Sequence, residues 1–104
     1  MHPIVTAREG WLEVEIENKC DYSKFEEAAN ILKKQFNISF VEKLNHLDDA
    51  YWDFIYKGCE LTLHFNHYCG ITLFPKKFRK ATTEENQGAK EIGVLLFERL
   101  NHPS

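Results

Sequence analysis

Residues 50 to 75, AYWDFIYKGCELTLHFNHYCGITLFP, constrain the fold of this chain more than any other stretch. Trp52, Phe54 and Tyr56 alternate with Tyr51, Asp53 and Ile55. Leu61, Leu63 and Phe65 then alternate with Thr62, His64 and Asn66, and Ile71 and Leu73 with Thr72 and Phe74. Lys57-Gly58 separates the first two runs, and Asn66 to Gly70 the last two. Period-two alternation broken by Gly and Asn predicts half-buried antiparallel strands joined by hairpins. A meander of this kind needs one of its faces covered, and the flanking segments have to supply the cover.

The flanks carry both further strands and the covering helices. Residues 1 to 10 read as an irregular lead-in punctuated by Pro3 and Gly10. Trp11 to Asn18, WLEVEIEN, alternates strictly and predicts a strand with Leu12, Val14 and Ile16 on one side. Ser23 followed by Glu26 has the capping-box pattern and predicts a helix to about Phe36, with Phe25, Ala28, Ala29, Leu32 and Phe36 as its buried stripe. Asn37 is the expected terminator, Ile38 to Leu44 a second strand, and Asn45 to Asp49 the turn into the meander. After Pro75 comes a basic connection, Lys76 to Thr83. Thr82 with Glu85 then opens a second helix to roughly Leu100, with Ala89, Ile92, Leu96 and Leu100 on one stripe. Gly88 and Gly93 each cost that helix about 1 kcal/mol relative to Ala. Gly93, beside Ile92 and Leu96, is the better candidate for close approach to the sheet. The expected class is therefore α+β: a single layer of about five mostly antiparallel strands in the order β-α-β-β-β-β-α, with two helices on one face.

With 104 residues, the chain suits a single domain, 1–104. No apolar run approaches the roughly 20 residues of a membrane helix, and the N-terminus lacks a signal-peptide plan. A cytoplasmic setting with no membrane partner is the expectation. Cys20, Cys59 and Cys69 are odd in number and lack CxxC spacing, so free buried thiols are expected. Cys59 and Cys69, bracketing one hairpin, are the pair with a chance of lying close. Residues 1–60 hold twelve Asp/Glu against seven Lys/Arg, and residues 61–104 hold four against six. An acidic first half argues against a nucleic-acid partner, which requires a basic stripe, and suits a basic protein. The run Lys76, Lys77, Arg79 and Lys80, interrupted by Phe78, reads as a solvated loop.

The uncovered sheet face is where function is expected. It would carry Glu13, Glu15, Glu17, Thr62, His64, Asn66, Thr72 and Phe74. The first meander strand adds Tyr51 and Asp53 or, in the other register, Trp52, Phe54 and Tyr56. Three glutamates at period two form a line of charge about 7 Å apart. That line is either a solvated strand face or an acidic surface that steers a cationic partner. Cys59, His64, His67 and Cys69 are residue types that bind zinc. Cys59 and His64, however, differ by an odd number along one strand and face opposite ways; His67 and Cys69 lie in the turn, where geometry is free, and the expectation is buried thiols with surface or turn histidines and no metal or other cofactor. His64 near Glu13 or Glu15 offers general-base chemistry. A flat sheet without a glycine-rich loop or nucleophile elbow makes an enzyme the weaker expectation.

Trp52, Gly58, the Leu61-x-Leu63-His64 run and Gly70-Ile71-x-Leu73 resemble small bacterial proteins of this length. Among these are the immunity proteins of contact-dependent growth inhibition systems. The resemblance implies a non-enzymatic inhibitor, an antitoxin that occludes the basic surface of a cognate toxin domain, commonly a nuclease. The resemblance carries over no functional residue; the open face itself supplies the expected partner-binding residues, Trp11, Glu13, Glu15, Glu17, Tyr51, Asp53, His64 and Phe74, with aromatics as anchors and carboxylates pairing with toxin Lys and Arg. The alternative is a small adaptor or homodimer that self-associates through an edge strand, with an enzyme or zinc-binding role third.

Overall fold

The computed structural model describes residues 3–101. Six strands, β1 (Ile4–Ala7), β2 (Leu12–Glu17), β3 (Phe40–Asn45), β4 (Asp49–Tyr56), β5 (Cys59–Asn66) and β6 (Gly70–Pro75), form one sheet in the order β1-β2-β6-β5-β4-β3. Every pairing is antiparallel. Helices α1 (Tyr22–Gln35) and α2 (Thr83–Asn101) lie on one face. The expected α+β layer pair is present, with six strands in place of about five. The added strand is β1, in the segment expected to be irregular. IVTA has no burial pattern of its own and is a strand because β2 offers it a free edge, with Val5 opposite Val14.

The meander settles its own register: Trp52, Phe54, Leu61, Leu63, Phe65, Ile71 and Leu73 are buried beneath the helices. Tyr51 and Asp53 therefore take the other face. Phe25 of α1 inserts between Trp52 (ring centroids 4.8 Å) and Phe65 (5.5 Å), locking α1 to the β4–β5 half. Helix α2 covers β2, β6 and β5. Gly93 lies against Val14 so closely that a Cβ there would sit 2.9 Å from three Val14 side-chain atoms.

Local signals were kept or displaced by small amounts. The Thr82–Glu85 box forms in both directions: the Thr82 N–H donates to Glu85 Oε1 (2.9 Å), and the Glu85 N–H to Thr82 Oγ1 (3.1 Å). Helix α1, by contrast, is capped by Asp21 and not by Ser23. Asp21 Oδ1 accepts from the Lys24 N–H and from the Ser23 hydroxyl, so the better acceptor wins and the helix starts two residues early. Asn37 ends it in the left-handed region, at φ 55°. Cys59 and Cys69 sit at opposite ends of β5, so the hairpin they bracket separates them. All three thiols are free. Cys59 is buried, but Cys69 is exposed, contrary to expectation, because it lies in the β5–β6 turn and not in a strand.

Candidate functional site

The face away from the helices is crossed by one transverse row of directly paired residues, one from each strand. Ile4 (β1) faces Glu15 (β2), Glu15 faces Thr72 (β6), Thr72 faces His64 (β5), His64 faces Tyr51 (β4), and Tyr51 faces Leu44 (β3). The row is apolar at both ends, Ile4 being 59% and Leu44 49% exposed. Its centre is held rigidly. Tyr51 stacks on His64 with centroids 4.4 Å apart and planes 21° apart. The imidazole is fixed from both nitrogens, by Asp49 Oδ1 at 2.9 Å from Nε2 and by Thr72 Oγ1 at 3.3 Å from Nδ1. Asp49 also accepts from the Asn66 amide at 2.9 Å, and this bond, ahead of the one to His64, holds its carboxyl below the usual range. Burial, with Asp49 next, pushes the Tyr51 hydroxyl above the usual range.

A second row, on the Pro75 side, is acidic and internally paired. Glu42 faces Asp53, which faces Thr62, which faces Phe74. Thr62 Oγ1 donates to Asp53 Oδ1 at 2.6 Å, and Lys76 Nζ lies 3.6 Å from Asp53 and 3.9 Å from Glu42. The basic run is thus not simply a solvated loop. The chain reverses after Pro75, so Lys76 meets Asp53, Glu42 and Glu60, Lys77 meets Glu60 and Glu85, and Arg79 meets Glu9. The same reversal covers one corner of the face expected to be bare. Phe78, in the short 3-10 turn Phe78–Lys80, stacks on Phe74 at 5.2 Å, and Trp11 meets Phe78 edge-on at 5.4 Å.

The proposed anchors and acids separate on this geometry. Tyr51, His64 and Glu15 share the open row, and Asp53 lies beside it. Phe74 is on the expected face but only 4% exposed, because Phe78 covers it; it cannot be an anchor for a partner without that segment moving. Trp11 precedes β2 and belongs to this corner cluster, with its indole N–H buried and without a hydrogen-bond partner among the described residues. Glu13 faces the open side and is neutralised by Arg8, at 2.9 Å. Glu17 leaves the line. A β-bulge after Glu15 sets Glu17 opposite Ile71, a residue that faces the helices. The expected line of three glutamates is therefore two glutamates, one of them already paired. Leu44, Ile4 and Glu42 were missed, because β1 was not foreseen and the strand β3 could be aligned only once its partner was known.

The four candidate zinc ligands do not converge. The Cys59 thiol points to the Glu84 carbonyl (3.5 Å) beneath α2, and His64 is on the other face. No cluster of three or more His, Cys, Asp or Glu with metal-binding geometry occurs among the described residues. No helix among them is long and apolar enough to cross a membrane. No curated protein and no solved structure matches the chain. One family does match, over residues 4–87, which takes in all six strands and the start of α2: the chain belongs to DUF3630, a family described as protein of unknown function.

Proposed function

We propose that this chain acts by binding another protein, in the cytoplasm and without catalysis, and that its docking surface is the open row Ile4–Glu15–Thr72–His64–Tyr51–Leu44 with the carboxylates beside it. The observation that carries this reading is the stacked Tyr51–His64 pair. It is a rigid, half-buried aromatic platform at the centre of a face that neither helix covers, with Glu15 in the same row, Asp49 bonded to its imidazole, and Asp53 and Glu42 beside it sharing Lys76. Rigid aromatics ringed by polar groups are the usual centres of binding energy, and carboxylates at the rim favour a cationic partner. A toxin domain whose Lys and Arg hold nucleic-acid phosphate has that chemistry, and inhibition would follow from occlusion. A complex of this type buries about 1,600 Å² in total.

The test is titration calorimetry of the purified chain against the C-terminal domain encoded by the adjacent upstream gene, paired with co-expression to score relief of toxicity. Tyr51→Ala should weaken binding by about 2 kcal/mol, roughly 30-fold. Added salt should slow association. Undiminished affinity in a folded Tyr51→Ala, His64→Ala double variant would remove this face from consideration.

A further inference from the structure

The two edges of the sheet are finished differently. Strand β1 has four residues and follows Pro3, which suits an edge that is to stay single. Strand β3 has six residues with almost no burial, and Val41 (63% exposed), Leu44 (49%) and Leu47 (95%, in the turn beyond) recur along it. Its outward main-chain groups are identifiable. The His46 N–H donates to the Asp49 carbonyl at 2.7 Å, and antiparallel bonding alternates, so Glu42 and Leu44 bond inward to β4 while Lys43 and Asn45 present N–H and C=O to the free edge.

We infer that β3 pairs with β3 of a second copy of this chain, antiparallel about a two-fold axis through Leu44, to make a continuous twelve-stranded sheet. The side chains favour this register over those centred on Glu42 and Lys43. A two-fold axis normal to the sheet keeps each face on its own side, so only shifts by two residues are allowed. Centring on Glu42 opposes two carboxylates, and centring on Lys43 opposes two ammonium groups, and both are unfavourable. Centring on Leu44 puts Leu44 against Leu44, sets Lys43 and Asn45 to exchange main-chain hydrogen bonds, and places Glu42 opposite His46 twice. His46 is on the correct face, since it leans on Tyr51 with centroids 6.3 Å apart. Val41 is brought toward Leu47 of the second copy. The two open rows then run on into each other through the paired leucines, so one assembly presents the docking face twice.

Disulfide trapping tests the register with no other protein present, so its failure leaves the docking face untouched. Leu44 pairs with itself at a non-hydrogen-bonded position, where Cα atoms are about 4.5 Å apart, within reach of a disulfide. In a Cys69→Ser background, Leu44→Cys is expected to cross-link under mild oxidation at least about tenfold faster than Ile4→Cys, at the far end of the same row, because pairing raises the effective concentration. Sedimentation velocity of the unmodified chain should show a concentration-dependent dimer that Leu44→Lys abolishes, circular dichroism confirming that the variant folds. Equal cross-linking rates, a monomer at every concentration up to millimolar, or a dimer that survives Leu44→Lys would each overturn the inference.

Discussion

Replacing Gly93 by Ala sets two effects of known size against each other. In an exposed helix, Gly→Ala stabilises by about 1 kcal/mol. Here the new methyl would lie 2.9 Å from Cβ, Cγ1 and Cγ2 of Val14. Val14 is fully buried, and its strand is held on both sides, by Val5 of β1 and Leu73 of β6. It has one stiff rotamer axis and nowhere to go. Overpacking of this kind costs about 1–3 kcal/mol, and three simultaneous contacts place it at the upper end. The net expectation is a loss of about 2 kcal/mol. With a urea m-value of roughly 2 kcal/mol/M, the midpoint should fall by about 1 M at unchanged m, followed by fluorescence of the buried Trp52. Gly88→Ala is the milder comparison: its methyl would meet Cys59 Sγ at 3.1 Å and Cys59 Cβ at 3.3 Å, where the sulfur can rotate aside and the Cβ need yield only slightly, so the two effects should nearly cancel. The Gly93→Ala, Val14→Ala double variant should recover about 1–2 kcal/mol relative to additivity. A Gly93→Ala midpoint equal to or above that of the parent would mean that helix propensity decides, and the α2–β2 contact as described would be wrong.

Other outcomes follow from single features. Thr82→Ala should cost about 1 kcal/mol in the same urea assay, since it removes one arm of the α2 capping box. Mass-spectrometric mapping of iodoacetamide labelling should find Cys69 modified first, because Cys69 is exposed, whereas burial pushes the Cys20 thiol up to about 11 and raises that of Cys59. Asp49 is held below its ordinary value in the folded state, so its contribution is present above the unfolded carboxyl range near pH 4 and is lost as pH falls further. Asp49→Asn should flatten the acid limb of a stability–pH curve.

The legible parts of the chain were those decided within a few residues. The alternation of 51–56, 61–66 and 71–74 named the meander and the buried side of its last two strands, while the buried side of 51–56 was settled only by the structure. Thr82 and Glu85 named the start of α2, and Gly93 the point where that helix touches the sheet. What escaped depended on partners remote in sequence. IVTA becomes a strand only where β2 is already in place. The bulges at Glu15/Glu17 and Phe40/Glu42 are properties of strand pairs, and each changes which side chains share a face. The candidate site suffered most from this. Glu17 lost its place through a bulge. Phe74 was covered by Phe78 and Trp11 was drawn edge-on into the same cluster, and the position of Phe78 depends on how the chain reverses after Pro75.

The place of β2 also bears on the order in which the molecule can assemble. Val14 pairs with Leu73, 59 positions later, so one side of β2 stays unsatisfied until almost the whole sheet has been made. A nascent chain would carry that strand, apolar at every second residue, through most of its synthesis with its natural neighbour still missing. Glu13, Glu15 and Glu17 punctuate the segment, and like charges directly opposite each other discourage two waiting copies from zipping together. Replacing all three with Gln should leave the urea midpoint nearly unchanged and lower the yield on refolding at high concentration. An equal yield would show that these acids have no such protective part.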